Sequence, residues 1–453
     1  MKRIIRKVAV LGSGVMGSRI ACHFANAGVP VILLDIVPEG ASSGDRNKLV
    51  NDALANALKS NPSPVFRKDV ARLIQTGNFS DDMAEISGVD WIIEVVVENL
   101  EIKRKIFDQV EKYRKPGTLV SSNTSGIPIA MMAEGRSEDF KKHFCGTHFF
   151  NPPRYLRLLE IIPGPDTEPA TTEFFMQFGE KFLGKTTVLC KDTPAFIANR
   201  IGVFGILTLF HLLDEMQLSI AEIDKLTGPV IGRPKSATFR TSDVVGLDTL
   251  LHVAAGLKAN LPDDEARHVF EIPAFVQKMA ENKWLGDKTG QGFYKKVKTD
   301  SGKSEILVLN PENLEYQAQS KAKFPLLDQV KGMDNTAEKL RILYNGEGKA
   351  GEFYRKQFNL LFTYVSHRIP EISDEIYRID DAMKAGFGWE LGPFETWDAI
   401  GLQTSLEQMR KDGIQPAPWV SDMVQGGRFA FYQTDSGQIT CFDPIAKINK
   451  EIP

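Results

Sequence analysis

The sequence predicts an α/β N-terminal domain with a doubly wound, mostly parallel sheet, followed by an all-α region made of two duplicated helical domains. Three observations predict this fold class. Short apolar runs alternate with helical patterns through the first 190 residues, a glycine-rich turn joins the first run to the first helix, and one motif of the helical region occurs twice. Strands that alternate with helices are typical of a parallel sheet with helices on both faces.

Composition narrows the class of protein. The chain has 453 residues, of which 42% are hydrophobic and 25% charged, enough for two or three ordinary globular domains. Its formal net charge is -3, so the composition does not indicate a large basic surface. Neither nucleic acid nor an anionic membrane surface is therefore an expected partner.

Cysteine usage and the lack of long apolar stretches indicate the compartment. The cysteines form neither a CxxC motif nor a Cys/His metal spacing, which favours a reducing compartment and predicts no metal site. They are Cys22, Cys145, Cys190 and Cys441. No stretch reaches the roughly 18 apolar residues of a membrane span, and the basic N-terminus runs directly into a strand-length segment, unlike a signal peptide. We expect a cytoplasmic protein without membrane insertion.

Residues 7–35 have the pattern of one Rossmann-like βαβ unit. An apolar run at 8–11 enters the turn GSGVMG at 12–17, a helical pattern follows, and a second apolar run at 31–34 ends on Asp35. A glycine-rich turn alone is weak evidence, because a strand-to-helix turn without a ligand has the same pattern. Here the strands, glycines, helix and terminal acid follow in the order of a dinucleotide site.

The turn supplies the first candidate cofactor residues. Gly12 permits the tight turn off the strand, Gly14 lets a pyrophosphate approach the backbone, and Gly17 lets the helix pack close to the sheet. Val15 and Met16 begin the helix whose N-terminus would hold the phosphates.

Asp35 predicts which nicotinamide cofactor binds. It lies 18 residues beyond Gly17, at the end of the second predicted strand. A carboxylate there accepts hydrogen bonds from both ribose hydroxyls and repels a 2'-phosphate. The sequence therefore predicts NAD rather than NADP.

A long helical excursion is predicted at 40–75. Patterns at 48–58 and 65–73, with prolines between them, predict a helical pair that projects from the sheet, because ordinary connecting loops are much shorter. Its basic residues are candidates for phosphate contacts, although a solvated helical face is the commoner explanation of such charges. They are Lys48, Lys59, Arg67 and Lys68.

Two further apolar runs end in polar residues. The run at 89–97 leads into Glu98, and the run at 119–121 leads into SNTSG at 122–126, which contains Ser125. The serines are either helix-capping residues or ligand contacts. Their place beyond the carboxyl ends of strands, where open α/β sheets bind ligands, favours contact.

A histidine and a glutamate lie on consecutive predicted strands. His148 ends the strand before a double proline, and Glu160 lies inside the next apolar run. If the two strands pair, a carboxylate on one ring nitrogen fixes the tautomer and raises the basicity of the other. A lone histidine near an apolar strand is more often a satisfied core residue.

At this point the sequence resembles the 3-hydroxyacyl-CoA dehydrogenase family, the NAD enzymes of fatty-acid β-oxidation. The matching blocks cover the first two hundred residues in order. They are GSGVMG at 12–17, EVVVEN at 94–99, SNTSG at 122–126, HFFNPP at 148–153 with Glu160, and KDTPAFIANR at 191–200.

The resemblance implies a role for each matching residue. His148 would take the proton from the substrate 3-hydroxyl, with Glu160 holding the imidazole. Ser125 and Asn199 match the family's ligands of the hydroxyl oxygen, and Asn151 matches a substrate contact. On the cofactor side, the matching positions are Asp35, Glu98, Lys103 and Lys288.

The helical region contains an internal repeat. The pattern FRTSDVVGL at 239–247 recurs as FETWDAIGL at 394–402, and an Ile-Asp pair precedes each copy, at 223–224 and 379–380. Coincidence in a short pattern is the alternative, but matching helical signals around both copies favour duplication.

The repeat predicts four segments. They are the NAD-binding Rossmann-like domain at 1–190, the first helical domain at 191–298, a charged and irregular linker at 299–335, and the second helical domain at 336–453. When Phe353 is laid on Phe196, Lys356 falls where Asn199 stands, so the second copy is expected to be structural. Short members of the family pair one helical domain with its twin. We therefore expect a monomer with an internal pseudo-dimer, with which a further weak dimer is compatible.

The function that the sequence favours is NAD-dependent oxidation of (S)-3-hydroxyacyl-CoA to 3-ketoacyl-CoA. One alternative is a β-hydroxyacid or sugar-nucleotide dehydrogenase, which shares the domain layout but relies on lysine or cysteine catalysts. Another is an NAD-binding structural protein without turnover. The set of His148, Glu160, Ser125 and Asn199 argues against both.

Overall fold

The structure is a computed structural model that describes residues 3–42, 44–298, 302–319, 322–435 and 437–452. The chain divides into two units, Met1–Phe196 and Ile197–Pro453. The strands of the first unit are β1 (Val8–Leu11), β2 (Val31–Asp35), β3 (Ile74–Asn78), β4 (Trp91–Glu94), β5 (Leu119–Ser122), β6 (Phe144–Phe149), β7 (Leu158–Pro163) and β8 (Thr186–Leu189). Its helices are α1 (Val15–Asn26), α2 (Lys48–Lys59), α3 (Leu100–Tyr113), α4 (Ile129–Ala133), α5 (Glu138–Lys142) and α6 (Pro169–Lys181).

These strands form one sheet in the order β3-β2-β1-β4-β5-β6-β7-β8. Strands β1 to β6 are all parallel to one another. Strand β7 is antiparallel to β6, and β8 is parallel to β7. The first six strands have the doubly wound Rossmann order that the sequence predicts. The strand order reverses between β1 and β4, and ligands bind at the carboxyl ends of strands beside such a reversal.

An aromatic cluster fills one face of the sheet. Trp91 on β4 packs edge-on against Phe24 of α1, with ring centroids 5.1 Å apart, and lies 4.9 Å from Phe175 of α6. Its indole N–H donates to the hydroxyl of Ser121 at 2.9 Å, so the one polar atom of the ring is satisfied within the core. This packing fixes α1, and with it the glycine-rich turn, on the sheet.

The three glycines of the turn meet different surroundings. Gly12 has a φ of +105°, and a Cβ there would lie 2.5 Å from the carbonyl oxygen of Val95. A Cβ on Gly17 would lie 1.9 Å from the carbonyl oxygen of Gly12. A Cβ on Gly14 would meet no heavy atom within 4 Å. A side chain at position 12 or 17 would therefore force nearby backbone to shift, whereas the backbone at Gly14 faces open space.

The excursion at 40–75 differs from the expected helical pair. Its first helix is present as α2, but the second is a short 3-10 turn at Lys68–Leu73. At Ile74 the chain enters β3, which pairs with β2. The backbone of Arg67 is extended, so helical structure begins only at Lys68 and ends where β3 begins. The sequence prediction missed this strand.

The second unit contains α7 (Ala198–Glu215), α8 (Ile220–Thr227), α9 (Phe239–Val245), α10 (Leu247–Asn260), α11 (Ala274–Glu281), α12 (Pro325–Gln329), α13 (Thr336–Asn345), α14 (Gly348–His367), α15 (Ile376–Phe387), α16 (Pro393–Ile400), α17 (Leu402–Lys411) and α18 (Pro418–Gln425). Its strands are β9 (Tyr294–Lys298), β10 (Ser304–Leu309), β11 (Tyr316–Ala318), β12 (Tyr432–Asp435), β13 (Gln438–Asp443) and β14 (Ile448–Glu451). Among the described residues of both units, no helix is both long and apolar enough to cross a membrane.

Matching aspartates organise the two copies of the repeat. Asp224 accepts from the backbone N–H of Phe239 at 2.7 Å and from the hydroxyl of Tyr294 at 2.8 Å. Asp380 accepts from the N–H of Phe394 and the hydroxyl of Tyr432, at 2.8 and 2.6 Å. Each aspartate thus accepts hydrogen bonds from the first turn of one helix and from the tyrosine at the start of one strand. This explains why the Ile-Asp pair recurs with the motif.

A second pair of aspartates also makes matching hydrogen bonds in the two copies. Asp243 accepts from the N–H groups of Phe293 and Tyr294, and Asp398 accepts from those of Phe431 and Tyr432, at 2.8 and 2.9 Å in both copies. Burial raises the pKa of both carboxyls to about 6. Equivalent partners at equal distances in both copies support the duplication that the sequence predicts.

The segment 299–335 is not the irregular linker that we expected. The residues described there include β10, β11 and α12, and β9 to β11 form an antiparallel sheet. The second copy ends in a similar sheet of β12 to β14. The charged, alternating sequence of β9 and β10 conceals strands that have one solvated face, because antiparallel sheets tolerate such a face.

The two copies pack against each other within the second unit. Helices α7 and α14 contact each other, and Phe204 of α7 stacks on Tyr364 of α14 with ring centroids 3.7 Å apart. Gly202 lies against Phe387, so closely that a Cβ would be 2.0 Å from the ring. The apolar face of the first copy is thus covered by the second copy.

The glycines of the turn give a stability prediction with an internal control. Gly17→Ala should lower the free energy of unfolding by about 1–3 kcal/mol, because the new Cβ collides with a backbone oxygen that cannot move freely. Gly14→Ala should change it by less than about 1 kcal/mol, because the space around its Cβ is open. Chemical denaturation of both variants measures the difference. Equal losses would contradict the close packing assigned to Gly17.

Candidate active site

The carboxyl ends of the parallel strands carry most of the predicted site residues of the first unit. The glycine-rich turn follows β1, Asp35 ends β2, Glu98 follows β4, Ser125 follows β5, and His148 lies near the end of β6. Because these strands are parallel and adjoin one another, their ends lie along one edge of the sheet. Residues far apart in the sequence are thereby gathered at one edge.

Asp35 is held in place by the glycine-rich turn. Its Oδ2 accepts from the backbone N–H and the hydroxyl of Ser13 at 2.6 and 2.5 Å, and its Oδ1 accepts from the N–H of Ile36 at 2.7 Å. A carboxylate offers about four acceptor positions, so Asp35 retains acceptor capacity. Its side chain is half-buried, and the neighbouring Val15 is exposed.

A buried charge cluster lies at the ends of β4 and β5. The ammonium of Lys103 donates to both carboxylate oxygens of Glu94, at 2.8 and 3.0 Å, and lies 3.2 Å from Glu98. Glu94 also accepts from the N–H of Val96 and the hydroxyl of Ser122. Burial raises the pKa of Glu94, and Lys103 opposes that shift. With 1% of its side chain exposed, Lys103 faces carboxylates rather than open space.

Glu98 links this cluster to the loop after β5. Its Oε1 accepts from the hydroxyl of Thr124 at 2.6 Å and from the N–H of Ser125 at 2.8 Å. Although burial raises the pKa of Glu98, the charge of Lys103 and these two hydrogen bonds bring it below its ordinary value. Glu98 is thus held as an anion and fixes the backbone that carries Ser125.

His148 and Glu160 form a hydrogen-bonded pair between β6 and β7. The two residues are direct partners in the antiparallel register, and the imidazole Nδ1 lies 2.7 Å from Oε2 of Glu160. Both side chains are buried. A carboxylate on Nδ1 leaves Nε2 as the nitrogen that can accept a proton. The strand pairing that the sequence predicted for these two residues is therefore present.

Two aromatic rings pack against the imidazole. Phe150 and Phe196 lie 4.6 and 5.7 Å from it, measured between ring centroids. Phe196 and its neighbour Ala195 have φ values of 54° and 61°, in the left-handed region that side chains rarely adopt. Such backbone costs about 1–3 kcal/mol per residue and clusters at functional sites. Here it directs the buried Phe196 ring onto His148.

A buried lysine holds the loop after β6. Lys185 donates to the carbonyl oxygens of Pro153 and Leu156, the latter at 2.9 Å, and is 5% exposed. Burial lowers the pKa of Lys185 to about 7. The loop that it holds begins with Asn151, whose side chain is exposed. The position expected to contact substrate is therefore accessible.

The same loop fastens the excursion. Arg154 donates to the carbonyl oxygens of Ser63 and Val65 at 2.7 and 3.0 Å, and its guanidinium lies 4.2 Å from the centre of the Phe66 ring. Tyr155 also donates to Ser63. Arg154 and Tyr155, which follow the double proline, thus tie the excursion to the loop after β6.

Two predicted site residues belong to the second unit. Asn199 lies in the first turn of α7 and is half-buried. Lys288 lies in a 3-10 turn and forms an ion pair with Asp248. The structure therefore assigns Ser125, His148 and Glu160 to one unit, and Asn199 and Lys288 to the other.

Comparison with known proteins identifies the family. The model of the 3-hydroxyacyl-CoA dehydrogenase NAD binding domain matches residues 7–193, and that of the C-terminal domain matches residues 196–296 and 360–435. The chain is 46% identical over 316 residues to a probable 3-hydroxyacyl-CoA dehydrogenase of Deinococcus radiodurans, an alignment that covers 69% of this chain and 90% of the relative. The chain belongs to the 3-hydroxyacyl-CoA dehydrogenase family.

Two further comparisons show how much of other proteins this chain covers. A probable 3-hydroxyacyl-CoA dehydrogenase of Bacillus subtilis is 48% identical over 455 residues, which are 98% of this chain and 57% of that protein. The chain thus spans little more than half the length of this relative. The crystal structure of 3-hydroxybutyryl-CoA dehydrogenase from Escherichia coli K12 has the same fold, with a TM-score of 0.65 at 19% identity, and covers 94% of this chain and 99% of that one.

The sequence prediction missed several residues that support the site of this family member. Glu94 had a visible signal, because an acid inside an apolar run needs a partner. Ser13, Thr124 and Lys185 had no such signal. Each acts through a contact with a residue distant in sequence, which no local pattern reveals.

Lys185 makes stability depend on pH. Its folded pKa of about 7 lies below the ordinary value of 10.5, so above pH 7 the unfolded chain binds a proton that the folded chain has released. Stability therefore rises with pH above 7, by up to roughly 1.4 kcal/mol per pH unit from this group. His23 beside it is not involved, because burial lowers its pKa to about 3.

Replacement of Lys185 tests this linkage. Between pH 7 and pH 9, Lys185→Met should gain about 1–3 kcal/mol less free energy of unfolding than the wild-type protein. Lys181→Met is the matched control, because Lys181 is exposed at the end of α6. Chemical denaturation at both pH values measures the gain. An equal gain in all three proteins would rule out a neutral, buried Lys185.

Proposed function

We propose that this chain catalyses the NAD-dependent oxidation of (S)-3-hydroxyacyl-CoA to 3-ketoacyl-CoA, the dehydrogenation step of fatty-acid β-oxidation. The observation that carries the proposal is the His148–Glu160 pair, in a sheet whose first turn is built for a dinucleotide, in a member of this family. The reaction removes a hydride from C3 and a proton from the hydroxyl. A protein that performs it needs a hydride acceptor and a base.

The residues of the glycine-rich turn fit NAD. Gly14 leaves open space beside the N-terminus of α1, where helix geometry favours phosphate. Asp35 retains acceptor capacity for ribose hydroxyls and would repel a 2'-phosphate. We propose that Gly12, Gly14, Val15, Met16, Gly17, Asp35 and Glu98 form the cofactor side, and that bound NAD supplies the hydride acceptor. Lys103 would serve it through Glu98, whose charge it stabilises.

His148 would act as the base through Nε2. Glu160 fixes the Nδ1 proton, and its negative charge stabilises the imidazolium that forms when Nε2 takes the hydroxyl proton. The aromatic rings of Phe150 and Phe196 restrict water around the imidazole. The same groups return the proton in the direction of ketone reduction.

The substrate side rests on the family resemblance. We propose that Ser125 and Asn199 bind the reacting oxygen, because two donors stabilise it as its bonding changes. Asn151 would contact the substrate, and Lys288 would serve the cofactor. The support for each of these roles is the match between its position and the motifs of the family.

The excursion offers two cations for the phosphates of coenzyme A. Lys59 and Lys68 are exposed, and no described carboxylate lies within ion-pair distance of either. Arg67 is paired with Asp69 at 2.6 Å, and Lys48 is paired with Asp52. We therefore propose Lys59 and Lys68 as phosphate contacts, ahead of the other two.

We also propose that the chain is a monomer, because the second copy covers the apolar face that a second chain would otherwise cover. A further weak dimer is compatible with this arrangement. We propose a cytoplasmic location, because cysteines without a CxxC motif favour a reducing compartment.

Measurement of NADH oxidation tests both the reaction and the role of His148 as the base. The wild-type protein should oxidise NADH with acetoacetyl-CoA, and His148→Gln should lower kcat by roughly a hundred- to ten-thousand-fold while the Kd for NADH stays near the wild-type value. Glu160→Gln should act in the same direction. An active His148→Gln protein would refute the base. Turnover of free 3-hydroxy acids but not of thioesters would favour a β-hydroxyacid dehydrogenase.

The cofactor preference gives a separate prediction. The wild-type protein should prefer NADH over NADPH by on the order of a hundredfold in kcat/KM, because like charges at Asp35 cost several kcal/mol. Asp35→Ser should reduce that preference at least tenfold. Ser13→Ala is the matched control, because it removes one donor to Asp35 and keeps the charge. Equal wild-type efficiency with the two cofactors would falsify the assignment of Asp35.

A further inference from the structure

A buried network of charged groups joins the two copies at the start of α7. The guanidinium of Arg200 is fully buried and donates to the hydroxyl of Tyr364 at 2.5 Å, to Asp264 at 2.6 Å and to Glu371 at 3.0 Å. Arg200 and Asp264 belong to the first copy, whereas Tyr364 and Glu371 belong to the second. The arginine that follows Asn199 in the chain is therefore held by the other copy.

The network extends through a second arginine. Arg368 at the end of α14 donates to Asp264 at 2.7 Å and to Glu265 at 2.5 Å, and it lies 2.7 Å from Glu371. Asp264 thus accepts from both Arg200 and Arg368. Two buried cations share one buried carboxylate, so the positions of both helix ends are coupled.

The central arginine of this network comes from the first copy. With Phe353 laid on Phe196, the position of Arg200 is occupied in the second copy by Gln357, and that of Asn199 by Lys356. Gln357 is buried as well, and its amide nitrogen has no hydrogen-bond partner among the described residues. In this sequence alignment the second copy has neither the asparagine nor the arginine.

Packing alone does not account for a buried arginine at this place. Desolvation of a guanidinium is costly, and apolar or neutral residues often stabilise a core as well as an ion pair does. What the guanidinium adds is direction, because its planar fork fixes the angles of its hydrogen bonds.

We propose that Arg200 is a positioning residue for Asn199, and that the second copy acts in the reaction by holding Arg200 through Tyr364 and Glu371. Consecutive residues of one helical turn rotate together about the helix axis. Fixing the Arg200 guanidinium against α14 therefore fixes the direction in which Asn199 points. The inference rests on the proposed function, in which Asn199 binds the reacting oxygen.

The test removes acceptors of the Arg200 hydrogen bonds without replacing Arg200 or Asn199. Tyr364→Phe deletes the hydroxyl, which accepts from Arg200 and donates to Asp264 at 3.1 Å, and keeps the ring that stacks on Phe204. Glu371→Gln neutralises an acceptor whose side chain is partly exposed. Each should lower kcat with acetoacetyl-CoA about tenfold or more and leave the KM for NADH unchanged, because a small misplacement of a reacting group has effects of this size.

Tyr344→Phe is the matched control. Tyr344 is a buried tyrosine of the same unit whose hydroxyl donates to Asn359 at 2.6 Å, outside the Arg200 network. Its replacement removes one buried hydrogen bond and Tyr364→Phe removes two, so both variants should be less resistant to urea than the wild-type protein. Its kcat should remain at the wild-type value.

A double-mutant cycle separates positioning from simple loss of structure. In an Asn199→Ala background, Tyr364→Phe and Glu371→Gln should cause no further loss of kcat, because the residue that they orient is gone. A further loss of the same factor, or a Tyr364→Phe protein with the kcat of Tyr344→Phe, would overturn the positioning role alone. Wild-type kcat in Asn199→Ala itself, or no turnover by the wild-type protein, would overturn the proposed function and this inference with it.

Discussion

The architecture of the first unit depends on how closely the turn after β1 approaches the end of β4. The N–H of Val95 donates to the carbonyl oxygen of Leu11 at 2.7 Å, and only a glycine at position 12 leaves room for the Val95 carbonyl. Ser13, the next residue, binds Asp35, and the N–H of Val96 binds Glu94. One steric constraint thus places both the carboxylate proposed for ribose and the one that anchors the buried lysine.

The opposite end of the site depends on a change of strand direction. Because β7 runs antiparallel to β6, His148 and Glu160 become direct neighbours, and a slip of one residue would turn Glu160 to the other face of the sheet. The loop that makes this reversal carries few buried apolar side chains of its own. Lys185 donates to its carbonyl oxygens and Arg154 ties it to the excursion, so polar contacts outside the His148–Glu160 pair support the register of that pair.

Local patterns predicted the parts of the molecule that local chemistry determines. The glycine-rich turn, the apolar strands of the parallel sheet and the repeated Ile-Asp pair each have a short-range signature, and their places in the fold follow from it. The edge strand β3 and the three-stranded sheets have no such signature, because their sequences are polar on one face and their pairing is decided elsewhere in the chain. The contacts around Glu98 and Arg200 were invisible for the same reason. Arg200 and Tyr364 are 164 residues apart in the sequence, and the fold of the second unit brings them together.

Duplication has separated two requirements that a single helical domain must meet at once. The aspartates that begin helices and bind strands, Asp224 with Asp243 and Asp380 with Asp398, have the same partners in both copies, so each copy has retained what it needs to fold. With Phe353 laid on Phe196, the sequences differ at the positions that follow. Asn199 and Arg200 lie at the start of α7, whereas Lys356 and Gln357 lie in the middle of α14. In a symmetric dimer, any change at one of these positions would appear at both sites. Within one chain the second copy is free to lose the asparagine and to provide Tyr364 and Glu371 to the helix that retains it.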